Sequence, residues 1–404
     1  MTEHTQVAII GAGPAGLLLG HLLHLHGIDS VILENRSEPY VIERVRAGVL
    51  EQHVVDMMVA TGLGDRLQRQ GLRHGGVYLA FDGKRHHIDF EELTGKSIWI
   101  YGQNEVVRDL IDARRATGRP LRFEVDDVRV AGFDGDTPTV RYVDGGVERT
   151  LHCDYIAGCD GFHGVSRPAF PKGLLSTYER IYPFGWLGIL AQAEPTSDEL
   201  VYALHERGFA LFSMRSPTVT RLYLQCDPDE DISVWSDDRI WSELGTRLGT
   251  DDGWRPKEGP IFQKGITPMR SFVVEPMQCG RLFLAGDSAH TVPPTGAKGL
   301  NLAAADVRVL ADAFWRQYSG RGGAALEAYS ETCLKRVWKA QRFSWWMTSM
   351  LHLGPQDAPF ARFDYRRQVA ELDYLTGSRA GMTSLAENYV GLPMDVPLPG
   401  LVRA

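Results

Sequence analysis

The chain has 404 residues, 44% of them hydrophobic and 23% charged, with a formal net charge of −8. These are the proportions of an ordinary globular protein with apolar material for more than one core, and the negative balance argues against a nucleic-acid or anionic-membrane partner. No apolar run reaches the ~18 residues of a membrane span, and the five cysteines (Cys153, Cys159, Cys226, Cys279, Cys333) show no C-x-x-C spacing, so neither a disulfide framework nor a metal site is expected. The first strand begins at Val7, which leaves no room for a signal peptide; the reading is a cytoplasmic protein.

Val7 to Ile10 read as a buried strand leading into Gly11, Gly13 and Gly16 in G-x-G-x-x-G spacing, with an apolar helix after them. The first glycine permits a tight turn, the second lets backbone approach a pyrophosphate, and the third lets helix pack on strand. The helix start then offers unpaired N–H groups to the phosphates. A second apolar run, Val31 to Leu33, ends in Glu34, an acid suited to the ribose hydroxyls of a dinucleotide. Residues 45–67 predict one helix, and 101–115 another. Residues 122–154 alternate like a meander of strands, and 154–161 read as a buried strand closing in a tight turn. From 178 to 270 aromatic, strand-like pieces predict a largely antiparallel sheet with one wet face. RLFLAGDSAH, 281–290, returns to the style of the first domain. A helical region over 300–350 follows, with Trp338, Trp345 and Trp346 near its end as a place for either subunit contact or core. Residues 352–374, including LGPQDAPF, carry no assignable pattern.

Two further glycine–acid turns narrow the cofactor. CDGFHGVSR places Asp160 at a strand end, and AGDSAHTVPPTGAKGLN places Asp287 before a Pro/Gly loop and a helix. A strand-end carboxylate can accept a ribityl hydroxyl, and the loop N–H groups can face a flavin pyrimidine. Taken alone, the DG at 160–161 reads as an ordinary turn; its company raises it. With GAGPAG, CDG and AGDSAH together, and with RAGVLEQ, YPFGWLG, VPPTGAKGLNLAA and AENYVGLP spread along the chain, the sequence resembles the group A flavoprotein aromatic hydroxylases. The resemblance implies an α/β fold: a discontinuous Rossmann-like FAD-binding domain, an inserted antiparallel substrate sheet and a C-terminal helical region. Its expected boundaries are 1–177 and 271–350 for the FAD-binding parts, 178–270 for the sheet, and 351–404 for the terminal region. It also implies FAD contacts from Gly11, Gly13, Gly16, Glu34, Arg44, Arg46, Val49, Gln103, Asp160, Asp287, Lys298, Leu300 and Asn301.

An aromatic acid needs a cation for its carboxylate, a flat slot, and polar groups at its far end. Ser213 and Arg215, two apart on a predicted strand, share a face, and Tyr223 lies on the next piece. Spacing alone reads this as a solvated strand edge; the resemblance turns it into a carboxylate clamp that includes Met214. It further implies a proton path from the substrate phenol through Tyr202 and Tyr389 towards His74, with the Pro294 carbonyl on the same hydroxyl and Arg221 stabilising negative charge. A phenolate is far more electron-rich than a phenol, and a cationic site with a relay lowers its pKa.

The implied reaction uses NADH or NADPH, FAD and O2, through a flavin C4a-hydroperoxide, to hydroxylate 4-hydroxybenzoate at its 3-position. Another hydroxybenzoate is the alternative substrate, and a flavin-binding redox protein without hydroxylase activity is the alternative class. No second dinucleotide fingerprint is visible, which fits the resemblance: it implies a coenzyme bound on the surface, with Arg46, His163 and Arg270 as candidates and Arg36 beside them. Glu38 and Glu43 disfavour a 2′-phosphate, while Arg36 can offset them; the expectation is NADH used at least as well as NADPH. The resemblance implies a homodimer.

Overall fold

Four parallel strands carry the three motifs to one line. The computed structural model, which describes residues 3–43, 48–394 and 396, sets Leu282–Leu284, Val147–Gly158, Glu3–Ile10 and Ser30–Leu33 side by side. Leu284 stands beside Gly158, Gly158 beside Ile10, and Ile10 beside Leu33. Strands buried on both faces need unbroken apolar runs, and Val7, Ala8 and Ile9 are fully buried. Helix Pro14–Leu25 starts on a proline, which costs nothing where an N–H is unpaired anyway. Helix Gln103–Ala116 buries Val106, Val107, Leu110, Ile111 and Arg114, the three-and-four spacing of an amphipathic helix.

The second sheet also has eight strands, in the order His290–Thr291, Ile261–Glu275, Ser176–Ala191, Val219–Cys226, Ala210–Ser216, Val201–Ala203, Gly76–Phe81 and Lys84–Asp89. It therefore extends past the expected 178–270 boundaries, borrowing the Gly76–Asp89 hairpin from the first segment. That hairpin joins through a parallel pairing, which local sequence does not signal. The expected one-sided burial holds in Val219–Cys226, where buried and part-buried residues alternate, but not in Ala210–Ser216. Helix Asp237–Leu248 packs on Ala210–Ser216, and residues 210–214 of that strand are buried without alternation.

Three further expectations are corrected by local chemistry. Residues 45–67 are not one helix: 45–47 lie outside the described residues, and Val49–Glu51 is a strand paired with Ile98–Ile100. Helices Gln52–Ala60 and Gly64–Gln70 follow, parted at Gly62, whose φ of +82° suits a helix stop. The meander and the buried strand before Asp160 are joined in one strand, Val147–Gly158, antiparallel to Thr139–Asp144 and parallel to Glu3–Ile10. Residues 352–374 contain most of a helix, Ala361–Gly377. Trp338 and Trp345 are exposed, while the Trp346 indole donates to Glu371.

Arg114 ties the Gln103–Ala116 helix to the sheet. It is 1% exposed and donates to the Ser30 and Pro120 carbonyls, the Ser30 hydroxyl at 3.1 Å and the Gly20 carbonyl at 3.4 Å. Arg114→Met leaves these buried acceptors unpaired and should cost about 3 kcal/mol, read as a lower urea midpoint at unchanged m-value.

Candidate functional site

The strand ends bring Gly286–Asp287, Asp160, the Gly11–Gly16 turn and Glu34 into adjacent positions, at the carboxyl edge where open α/β sheets bind ligands. Each glycine has its own geometry. A Cβ on Gly11 (φ +102°) would lie 2.5 Å from the Cys159 carbonyl, and one on Gly16 would collide with the Gly11 carbonyl, whereas Gly13 has nothing within 4 Å. Gly13 is the open point of the cradle. Neither helix Pro14–Leu25 nor helix Gly299–Tyr318 has a side-chain cap at its N-terminus, so both starts keep N–H groups for a ligand. Asp160 Oδ2 accepts from the Ser166 amide (2.8 Å) and hydroxyl (2.9 Å), while its buried Oδ1 has no partner among the described residues; burial raises this carboxyl. Asp287 is exposed at the loop. Glu34 accepts from the Ala12 amide at 2.7 Å and the Arg36 amide at 2.9 Å, which fixes it against the glycine turn. An open glycine, two uncapped helix starts and an orphaned carboxylate oxygen fit a bound dinucleotide.

The remaining cofactor candidates divide. Leu300 lines a small apolar cleft with Pro14, Leu18, Val54, Met58, Val106, Leu110 and Ala304. Gln103 opens its helix. Asn301 is corrected as a side-chain donor: its amide donates to Val49 and Ala297 carbonyls at 2.9 and 2.7 Å and accepts from the Glu51 N–H at 2.8 Å. Both its donors are spent, which leaves a cofactor its backbone and one Oδ1 lone pair. Lys298 is corrected likewise, since its ammonium donates to Glu51 and to the Asn388 and Tyr389 carbonyls, using all three donors. It supplies charge and a brace. Burial alone would raise Glu51, but Lys298, His53 and Arg336 outweigh it and hold the carboxyl at about 2. Arg44 and Arg46 lie outside the described residues.

The second sheet supplies a separate face. Tyr202 pairs with Leu211, Leu211 with Tyr223, Ser213 with Arg221, and Tyr223 with Gly188. Residues directly opposite point the same way, so Tyr202, Ser213, Arg221 and Tyr223 share one face. Met214 pairs with Thr220 and turns its side chain to the other face, so only its backbone serves this one. Arg215 follows at a register shift between Met214 and Ser216. Burial first, and the neighbouring Arg221 second, bring its guanidinium down to about 10. The Arg221 head lies 5.1 Å from the Tyr223 ring. Pro294 opens the Pro294–Gly296 turn, and its carbonyl accepts from the Ala297 amide at 2.9 Å, leaving one lone pair.

Tyr202 and Tyr389, each 1% exposed, hydrogen-bond hydroxyl to hydroxyl across 187 residues. Burial pushes both phenols well above their ordinary value, so both stay protonated near neutrality. His74 is also buried, but neither ring nitrogen has a hydrogen-bond partner among the described residues. Sequence reading missed the aromatic wall behind this face. The Trp186 ring lies 4.6 Å from Tyr223 and stacks on Phe209, and its indole donates to His352 Nε2 at 2.6 Å. His352 Nδ1 then donates to the Thr348 carbonyl, whose hydroxyl donates to Thr295 beside Pro294. Trp186 lies in the aromatic run YPFGWLG, which could have pointed to it; His352 carried no signal.

Of the coenzyme candidates, Arg270 and His163 gather at Phe162, at 4.6 Å and 4.9 Å from its ring. Arg36 stands elsewhere, by Glu34 and over Tyr40. Glu38 is paired with Arg115.

A family model described as FAD binding domain matches residues 4–344. The chain is 49% identical over 396 residues to p-hydroxybenzoate hydroxylase of Acinetobacter baylyi, covering 98% of this chain and 97% of that one. It is 28% identical to rifampicin monooxygenase of Streptomyces venezuelae over 74% of this chain and 62% of that one. Among solved structures, p-nitrophenol 4-monooxygenase from Pseudomonas putida shares the fold with a TM-score of 0.81 at 19% identity, over 97% of this chain and all of that one.

Burial holds His74 down to about 4 and His352 to about 3. Unfolding returns both to their ordinary value, so their neutral forms stabilise the fold fully above about pH 6.5, and that contribution is lost as pH falls towards 4 and 3. At pH 5 each should have lost about 2 kcal/mol. Urea unfolding at pH 7.5 and pH 5 should therefore show a drop about 4 kcal/mol smaller in the His74→Gln/His352→Gln variant than in the unaltered chain.

Proposed function

Because the chain belongs to the FAD binding domain family, among the group A flavin hydroxylases, we propose that it hydroxylates 4-hydroxybenzoate beside the ring hydroxyl to give 3,4-dihydroxybenzoate. The observation that carries this reading is one sheet face presenting Ser213, Arg221 and Tyr223 with Arg215 alongside, and Tyr202 bonded to Tyr389. FAD, when bound, supplies the reducing equivalents taken from the coenzyme and the activation of O2. The residues do the rest. Arg215, Ser213 and Tyr223 hold the carboxylate, with Arg favoured over Lys for its forked donors. Two neighbouring guanidiniums favour an anionic ring, and the Tyr202 hydroxyl takes the phenol proton and passes it to Tyr389. His74 is buried and held down to about 4, so at the path's outer end it passes the proton on rather than keeping it. The Pro294 carbonyl keeps a lone pair for the same hydroxyl.

The coenzyme docks at Arg270 and His163 around Phe162, and NADH serves at least as well as NADPH, Glu43 disfavouring a 2′-phosphate while Glu38 is paired with Arg115. The protein works in the cytoplasm as a homodimer. Its cysteines are free, and Phe360, Phe363 and Tyr374 are each 69% exposed, in and just before the Ala361–Gly377 helix, an apolar surface suited to a second copy.

Purified enzyme given 4-hydroxybenzoate, FAD and NADH should form 3,4-dihydroxybenzoate; coenzyme oxidation that releases only peroxide would sink the hydroxylase reading. Tyr202→Phe should bind substrate nearly normally but hydroxylate about a hundredfold less, diverting turnover to peroxide. Arg215→Ala should instead raise the substrate Kd on the order of a hundredfold. The ratio of kcat/KM for NADH and NADPH tests the coenzyme assignment, a strong NADPH preference being contrary to it.

A further inference from the structure

The Arg215 guanidinium lies in a socket built from the other sheet's domain. Its Nη2 donates to Asn104 Oδ1 at 3.1 Å. Asn104 is the second residue of helix Gln103–Ala116. Its amide cannot turn over without loss, because its Nδ2 donates to Glu105 Oε1 at 2.7 Å. Glu105 is itself anchored, accepting from Arg66 at 2.6 Å and Arg108 at 3.0 Å on Oε2, while its carbonyl accepts from Arg66 at 2.8 Å. The Asn104 oxygen is therefore aimed at the guanidinium by a braced neighbour.

Two glycines shape the same socket. A Cβ on Gly48 would lie 2.8 Å from Arg215 Nη1, and one on Gly102 would lie 3.1 Å from Arg215 Cζ and land on the Asn104 oxygen. Gly102 has an ordinary helical-entry φ of −52°, so its lack of a side chain serves space rather than backbone conformation. A cation at a helix N-terminus is electrostatically unfavourable, and the Asn104 oxygen and the Glu105 carboxylate offset that cost. Arg215 sits past a register shift, where the strand ladder alone does not hold its direction.

We propose that Asn104 is a positioning residue for the carboxylate clamp: it holds the Arg215 guanidinium at the substrate face and thereby sets the affinity for the substrate's carboxylate. The inference rests on the hydroxybenzoate reading above. It also makes the clamp a joint product of the substrate sheet and the helix that starts with the cofactor candidate Gln103. Losing one hydrogen bond to a charged group corresponds to about tenfold in affinity.

The test is titration of FAD-loaded enzyme with 4-hydroxybenzoate and with the neutral 4-hydroxybenzamide, read from the flavin absorbance, together with kcat and KM. Asn104→Ala should raise the Kd and KM for the acid about tenfold, with kcat changed less than twofold and the Kd of the amide unmoved. Gly102→Ala, which displaces the same oxygen, should weaken the acid in the same way, and the double variant should be no worse than either single one. An unchanged Kd for the acid in Asn104→Ala, or equal weakening of acid and amide, overturns the proposal. Wild-type enzyme that shows no response to the acid overturns the hydroxybenzoate reading, and the proposal with it.

Discussion

The alignment of four strand ends is the constraint from which the site follows. Leu284, Gly158, Ile10 and Leu33 stand abreast, and hydrogen bonds continue that alignment into the turns: Ala285 to Gly158, Cys159 to Ile10, and Gly11 to Leu33. A slip of one residue in any pairing would turn that strand's side chains over and carry its acid or glycine away from the others. Side chains then lock the loops. Ser288 donates to the Gly158 carbonyl at 2.6 Å, joining two motifs about 130 residues apart in sequence. Buried Asp306 accepts from the Gly286 amide and from His290 at 3.0 and 2.6 Å, holding the third motif's turn.

A second sheet is useful only if its face is brought to that edge, and polar links between buried groups do this. Trp186, His352, Thr348 and Thr295 form a bonded path from behind Tyr223 to the Pro294 turn. Lys298 joins Glu51 to the end of the helix that carries Tyr389, and Tyr389 reaches Tyr202. Arg215 reaches Asn104. Removing one partner of a buried polar pair leaves the other unpaired, so such links specify one arrangement more strictly than apolar contact does.

The electrostatics of the two regions differ in kind. The cofactor edge uses backbone N–H groups and uncapped helix starts, which suit phosphates and a reduced ring. The proposed substrate face uses whole charges: Arg215 and Arg221 are close enough for one to depress the other. An anionic guest relieves that repulsion, whereas a neutral one does not. Beside them the two tyrosines stay protonated, so they can hand on a proton without themselves carrying charge.

Glycine spacing, strand-ending acids and the apolar runs before them are local properties, and Gly11, Gly13, Gly16, Glu34, Asp160 and Asp287 were legible from them because each motif lies within one turn. So were the strand and helix types around them, since period two and period 3.6 are written in neighbouring residues. The residues proposed for the clamp were legible as residue types, with spacing alone reading them as a strand edge; only resemblance to a family suggested a role. Pairings between distant segments were not legible: the Gly76–Asp89 hairpin beside Val201–Ala203, Asn301 and Lys298 consumed by Val49 and Glu51, His352 behind Trp186, Asn104 under Arg215. Each is set by which strands lie side by side and which helix covers them. Long-range register is a choice among many closures of comparable local cost, and it is made by the burial and hydrogen bonding of the whole fold.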